Sequence, residues 1–383
     1  MKRSRRSEIP PFYAMEVLQR ANERAAAGDD VLHLEIGEPS RRPPKRVIEA
    51  AEEALRNRPL GYTESAGLPE LRARITQHYE DFYGLSVPFD RVLVTTGSSN
   101  AFLLTFLSAF DVGDRVALAS PGYPGYRNGM AALGIRVVDL PAGPNSRFHP
   151  SVELIEACGE KLDGLIIASP SNPAGSMLLE DDFKTLVSYC ISNDIRIISD
   201  EVYHGITYGE RAVCARALTE EAVVVNSFSK YFAMTGWRLG WMIAPDDLTE
   251  PAERLAQNMF ISPPGMTQYA ALAAFECLDE YDAEVHRYAE NRAILLEELP
   301  KAGIERFAPA DGAFYLYADV SELTDDSSVF CEAMLAETGV AAAPGIDFDP
   351  KGGKSYVRFS FAGSTEDIGE AARRIVAWRR KRG

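Results

Sequence analysis

Short apolar runs alternate along the chain with stretches of helical period, and nearly every run ends in a cluster of Ser, Gly, Asn, Pro or Asp. Five runs read as strands, Arg91–Thr96, Arg115–Ala119, Gly164–Ala168, Ile195–Ile198 and Ala222–Val225, the last with the length and β-branching of a strand buried on both faces. Before the first of them an apolar stripe predicts a helix over Leu68–Phe82, and between them helices are predicted from near Asn100 and over Asp181–Asn193. Strands alternating with helices imply a largely parallel sheet, whose ligands lie beyond the carboxyl ends of the strands. Before this region, Pro11–Gly28 reads as a helix and Val31–Ile36 as a half-buried strand, followed by a short helix. After it, Arg254–Leu278 is helical with a break at Ser262-Pro263-Pro264-Gly265, and a long polar helix covers Tyr281–Leu299. The remainder, with strands over Ala313–Tyr317 and Tyr356–Phe361 and a helix near Val329–Thr338, predicts a smaller α+β unit. The expected fold class is therefore α/β, in two parts: a large domain over 36–284, and a small one made of 1–35 and 285–383.

Composition narrows the class. A chain of 383 residues with 46% hydrophobic positions can build a sizeable core. No apolar run is long enough to span a bilayer and no signal-type segment opens the sequence, so the expectation is a cytoplasmic protein with no membrane partner. The net charge of −16 argues against a nucleic-acid partner, since phosphate backbones select a basic face. Lys2, Arg3, Arg5 and Arg6 read as a solvated terminus, and Arg379–Arg382 as the dipole-matched end of a helix capped by Ser364. The five scattered cysteines form no metal or redox pair and the five histidines have no ligand spacing, so no metal is assigned.

The polar clusters carry the candidate chemistry. Ser227-Phe228-Ser229-Lys230, with Arg238 eight residues on, gathers phosphate-type hydroxyls, an amine and a guanidinium after one strand. A free ammonium buried there is costly, whereas an imine to an aldehyde makes the lysine part of a cofactor and removes most of that cost. Gly97-Ser98-Ser99 feeds a helix, so backbone N–H groups and the helix dipole point at one spot. Pro121-Gly122-Tyr123-Pro124 holds an aromatic at the same sheet edge, and Asp200 ends another strand, with His204 read as a neighbour of no consequence. Taken singly, each cluster could equally be a surface turn.

In combination and in order, Gly37-x-Pro39, Tyr62 with Gly67, Gly97-Ser98-Ser99, Pro121-x-Tyr123-Pro124, Asn172-Pro173, Asp200-x-x-Tyr203, Ser227-x-Ser229-Lys230, Arg238 and Arg358 resemble the class I/II aminotransferase family. These are fold-type-I pyridoxal-phosphate enzymes of the aspartate-aminotransferase-like superfamily, and the resemblance runs from about Ile9 to the C-terminus. It implies pyridoxal 5'-phosphate bound to Lys230, which would also shuttle the substrate proton. It further implies Asp200 on the pyridine nitrogen, Tyr203 and Asn172 on the phenolate oxygen, and Tyr123 against the ring. Gly97, Ser98, Ser99, Ser227, Ser229 and Arg238 would hold the phosphate, with Tyr62 reaching in from the second subunit of a homodimer with shared active sites. Arg358, helped by the backbone of Gly37, would clamp the substrate carboxylate, with Asn172 beside it.

The resemblance implies transfer of an amine from an L-amino acid to a 2-oxo acid such as 2-oxoglutarate. Two alternatives stay open at this point: a carbon–sulfur β-lyase on the same scaffold, and a non-catalytic pyridoxal-phosphate-binding regulator, for which no DNA-binding segment precedes Pro11. Relatives specific for aspartate place a lysine where this chain has Ser99, and no basic residue occurs between Gln257 and Gln268. A neutral or aromatic donor is therefore expected, with Phe12, Tyr13, Phe260 and Ile261 as candidate apolar surface and Arg41 or Arg42 as a cation for an acidic acceptor.

Overall fold

The computed structural model describes residues 1–382. Its strands, in chain order, are β1 (Leu32–Leu34), β2 (Val92–Thr95), β3 (Arg115–Ser120), β4 (Arg136–Pro141), β5 (Gly164–Ala168), β6 (Arg196–Asp200), β7 (Val223–Ser227), β8 (Gly240–Ile243), β9 (Arg306–Phe307), β10 (Tyr315–Asp319), β11 (Val340–Pro344) and β12 (Tyr356–Ser360). They form a seven-stranded sheet, β2-β8-β7-β6-β5-β3-β4, and a five-stranded sheet, β1-β11-β12-β10-β9.

All five expected large-sheet strands are present, and two more were not foreseen, β4 and β8. β8 is antiparallel to both of its neighbours, β2 and β7, while the other pairings in this sheet are parallel. That reversal matters for the chemistry. The start of β8, Gly240, pairs with Ser227 and Thr95 at the ends of β7 and β2, so the residues just before it return to the carboxyl edge. Arg238 is among them.

Alternation along each strand divides the core into two layers. Leu165, Ile167, Ile197 and Val224 pack into one cluster, while Ile166, Ile198, Val223 and Val225 pack into the other. A sheet covered on both faces explains why its strands read as unbroken apolar runs. At the ladder ends, Ala168 pairs with Asp200 and Asp200 with Val225, which sets the polar clusters side by side.

The small sheet collects β1 from the N-terminal part and β9–β12 from the C-terminal part. We propose the domain division 36–284 against 1–35 plus 285–383 on this basis; the helix Leu278–Glu298 runs continuously across its second boundary. The N-terminal helix, Tyr13–Ala26, starts against the small unit, where Asp347 accepts from the N–H groups of Tyr13 (3.2 Å) and Ala14 (3.0 Å). No helix among the described residues is long and apolar enough to cross a membrane.

Candidate active site

Lys230 stands on a rigid base. Phe228, two residues earlier, is fully buried with ring centroids 5.0 Å from Trp241 and 5.1 Å from Phe232. Burying each such ring contributes about 2–3 kcal/mol, and each aromatic pair roughly 1 kcal/mol more. With that face anchored, Lys230 projects to the opposite side, where its Nζ donates to the Gly37 carbonyl at 2.7 Å. Burial pushes the ammonium down to about 8, only partly offset by Glu38. The chain thus presents an amine that gives up its proton far more readily than an ordinary lysine, although below about pH 8 most of it is still protonated.

The amine opens onto a cavity of about 520 Å³ between the sheet edge and the small unit. Gly37, Ser98, Ser99, Tyr123, Asn172, Asp200, Tyr203, Ser229, Lys230, Arg238 and Arg358 all line it. Asp200, 6% exposed, accepts from the Tyr126 hydroxyl and from the Val202 N–H at 3.0 Å. Burial raises its carboxyl to about 6, against the opposing pull of these donors. A protonated ring nitrogen placed beside it would hold it ionised, since an opposite charge favours the charged form.

Phosphate-type groups converge at one end. Gly97 has φ +76 and precedes the helix Ser98–Ala109, which has no side-chain cap. A Cβ at Gly97 would come within 2.7 Å of Arg238 Nη2, so only glycine lets the guanidinium close over this N-terminus. Uncapped N–H groups, the helix dipole and a guanidinium together make a cradle suited to a phosphate.

Three expected residues stand elsewhere. Ser227 lies behind the cavity, its Oγ within bonding distance of Ser229 Oγ (2.9 Å) and the Leu239 carbonyl (3.2 Å), so it supports Ser229, which is the hydroxyl that faces the cavity. Gly97 acts through its missing side chain rather than by lining the wall. Tyr62 is 84% exposed and does not reach the cavity of its own chain, because its loop is tied to a different segment through Thr63 N–H and Ser262 Oγ (3.3 Å).

At the other end sits Arg358, 3% exposed. It donates to Asn172 Oδ1 at 2.9 Å and to the Glu35 carbonyl, and its guanidinium lies 4.4 Å and 4.6 Å from the ring centroids of Tyr315 and Phe348. Its Nε has no hydrogen-bond partner among the described residues. A buried guanidinium whose contacts include no carboxylate is an incomplete pair, and a substrate carboxylate would complete it.

The sequence reading missed Tyr126, Tyr315 and Met15. Tyr315 links the two ends: its hydroxyl is 2.7 Å from that of Tyr203, and its ring supports Arg358. A Cβ at Gly37 would collide with the Tyr315 hydroxyl, which gives that glycine a steric reason. The only available signal was the tyrosine in the Ala313–Tyr317 run, where it resembled core. Of the four apolar candidates for the substrate side chain, Phe12 lines the cavity, joined by Met15, whereas Tyr13, Phe260 and Ile261 are exposed outside it. Arg41 and Arg42 line a separate outer cavity, and Arg41 pairs with Glu284 at 2.7 Å.

A buried amine, a buried carboxylate, an uncapped helix start beside a guanidinium, and a second, buried guanidinium without a carboxylate thus meet in one cavity. The model of the family described as aminotransferase class I and II matches residues 29–375. The chain belongs to that family. It is a pyridoxal-phosphate-dependent aminotransferase, acting on small amino and 2-oxo acids. It is 49% identical to the valine–pyruvate aminotransferase of Mycobacterium tuberculosis over 377 residues, 97% of each chain. A crystal structure of an aminotransferase from that organism superposes with a TM-score of 0.98 at 48% identity, covering 100% of both chains. The aspartate aminotransferase of Thermus thermophilus with maleate gives 0.91 at 30% identity, covering 98% of this chain and 99% of that one.

Proposed function

We propose that this aminotransferase takes a neutral L-amino acid, aliphatic or aromatic, and passes its amine to a small neutral 2-oxo acid of the pyruvate type. The observation that carries this reading is the set of cations around the cavity: Lys230, Arg238 and Arg358 line it, and no other lysine or arginine among the described residues does. Each of the three has a task in the common chemistry. None is left for the second carboxylate of aspartate, glutamate or 2-oxoglutarate, and neutral donors to a carboxylate give bonds about half as strong as charged ones. Phe12, Met15 and Ile36 offer apolar wall instead. The valine–pyruvate name of the Mycobacterium tuberculosis relative agrees with this preference. Arg41 and Arg42, the candidate cations for an acidic acceptor, line the outer cavity instead, which supports a neutral acceptor over the 2-oxoglutarate that the family resemblance implies.

Bound pyridoxal phosphate supplies an aldehyde and a ring that draws electrons from the substrate Cα. Lys230 Nζ would be the group that holds that aldehyde and, once displaced by the substrate amine, would hold and move the Cα proton. Asp200, oriented by Tyr126, would keep the ring nitrogen protonated. Tyr203 and Asn172 would donate to the ring oxygen, and Tyr123 would lie against the ring. Ser98, Ser99, Ser229 and Arg238 would hold the phosphate. Arg358 fixes the substrate carboxylate, so that the Cα–H bond faces Lys230.

We also propose a homodimer that shares its sites. Tyr62, Leu60, Met259, Phe260 and Ile261 are exposed apolar residues on two segments, a loop and a helix end with the turn after it, tied together by the Thr63–Ser262 and Thr63–Gln268 bonds. Such a patch suits a second copy of the chain, which would carry Tyr62 to the neighbouring phosphate cradle. Steady-state kinetics with valine, alanine, phenylalanine, methionine and aspartate, each against pyruvate and 2-oxoglutarate, test the specificity. A neutral donor with pyruvate should give the highest kcat/KM; an aspartate value tenfold above the rest would refute the reading.

A further inference from the structure

Behind the cofactor-facing turn lies a polar cluster that the chemistry above does not use. Glu201 and His204 follow Asp200 and Tyr203 by one residue each, and neither lines the active cavity. Glu201 is fully buried; its Oε1 accepts from Ser199 Oγ at 3.0 Å and from the Ala215 N–H at 2.8 Å. His204, 6% exposed, has Nε2 at 2.9 Å from the Ser169 carbonyl oxygen and Nδ1 at 2.8 Å from the Tyr83 hydroxyl. A carbonyl oxygen only accepts, so in the neutral ring Nε2 carries the hydrogen and Nδ1 accepts the hydrogen bond donated by the Tyr83 hydroxyl. Burial lowers the imidazole pKa, in keeping with this neutral form. The remaining charged or titratable neighbours are Glu201, whose Oε2 lies 3.5 Å from Nδ1, and His78.

The bond to Ser169 connects two segments far apart in sequence. Ser169 opens the loop that leads through Pro170 and Ser171 to Asn172, while His204 closes the turn that holds Asp200 and Tyr203. At this level the backbone link between them, Ser169 N–H to the Asp200 carbonyl, is long at 3.4 Å. The imidazole supplies the shorter tie.

We propose that His204 is a positioning residue for the cofactor ring, locking the Asn172 loop to the Asp200–Tyr203 turn so that the ring's three polar contacts keep one geometry. This rests on the site reading above. The bland alternative is a satisfied core histidine that affects stability alone. The two differ in what they do to the bound cofactor, because hydrogen bonds to the ring oxygen lower the basicity of its lysine linkage.

The test uses the holoenzyme and the variants His204→Ala, His204→Gln and Tyr83→Phe, following the pH titration of the bound cofactor's visible absorbance beside kcat, KM and Tm. Borohydride labelling of Lys230 in each variant checks the site reading separately. His204→Ala should raise the titration midpoint by about 0.5–1 unit and lower kcat roughly tenfold with KM changed less than about threefold. His204→Gln, whose amide N–H can reach the same carbonyl, should return the midpoint to within about 0.2 unit of native. Tyr83→Phe should shift it upward by less than His204→Ala. A native midpoint and kcat in His204→Ala, with only Tm reduced, would overturn the proposal. Should that variant not fold, Tyr83→Phe decides: a raised midpoint supports the tie, and a native midpoint overturns it.

Discussion

Two cavities share the wall formed by Ile36 and Glu38, and they differ in the state of their charges. The outer one, about 890 Å³, is the larger and is lined by Arg41, Arg42, Arg287 and Asp367. Its charges are solvated or already paired: Arg41 with Glu284, and Arg287 with Glu284 at 2.6 Å. The inner one, about 520 Å³, holds a lysine lowered to about 8, a carboxyl raised to about 6 and a buried guanidinium with no carboxylate in contact. Volume does not locate the chemistry. Charges kept from water without full compensation do, because they are costly unless a ligand completes them.

The largest effect should come from the inner amine. Lys230→Ala should leave the fold and phosphate-anchored cofactor binding in place while lowering kcat by at least about 10⁴-fold, since it removes both nucleophile and proton carrier. Borohydride, which should fix the cofactor to wild-type Lys230, should fix none to this variant by mass spectrometry. Asp200→Asn follows, with a kcat loss of roughly 10²–10⁴-fold and near-native Tm, because the amide keeps the Tyr126 contact but cannot hold a proton on the ring nitrogen. Arg358→Leu should raise KM for donor and acceptor alike by about 10²-fold, the loss of a charge-assisted fork worth roughly 3 kcal/mol.

A pH experiment probes the same contrast. Below its pKa of about 8 the folded lysine is protonated and cannot attack an aldehyde; above it, the amine is free. Capture of pyridoxal phosphate by cofactor-free enzyme, followed by absorbance, should therefore accelerate as pH rises from 6 to 9, with a midpoint near 8. A midpoint near the ordinary lysine value of about 10.4 would show that burial does not perturb the amine. The smallest effect belongs to the outer cavity: Arg42→Ala should change kcat/KM for any neutral donor by less than about twofold, as an exposed charge without a fixed partner contributes little.

The same contrast marks what could be read from the sequence. Apolar runs ending in polar clusters located β2, β3, β5, β6 and β7 and the candidate groups gathered at their ends, because one strand end and one turn place each of those side chains locally. β4 and β8 escaped notice: β4 begins and ends with Arg136 and Pro141, and β8 is only four residues following a turn. The parts built by long-range docking were not legible. Phe12 and Met15 reach the cavity because Asp347, more than 300 positions away, holds the start of their helix. Tyr315 looked like a strand-core residue until its hydroxyl was placed against Tyr203. Arg41 and Arg42 follow the Gly37 turn closely in sequence, yet that turn carries them to the outer side of the shared wall.

We propose that the inner cavity accepts an amine from neutral amino acids, its three cations being taken up by the common chemistry with none to spare for a second carboxylate. The most direct measurement is a single-turnover screen of the pyridoxal-phosphate enzyme against individual amino acids, reading loss of the visible absorbance band and release of the 2-oxo acid. Valine, alanine, methionine or phenylalanine should convert the enzyme at least about tenfold faster than aspartate at equal subsaturating concentration, each releasing its 2-oxo acid without ammonia. Faster conversion by aspartate than by every neutral donor, or release of pyruvate and ammonia from cysteine-like donors in place of amine transfer, would contradict it.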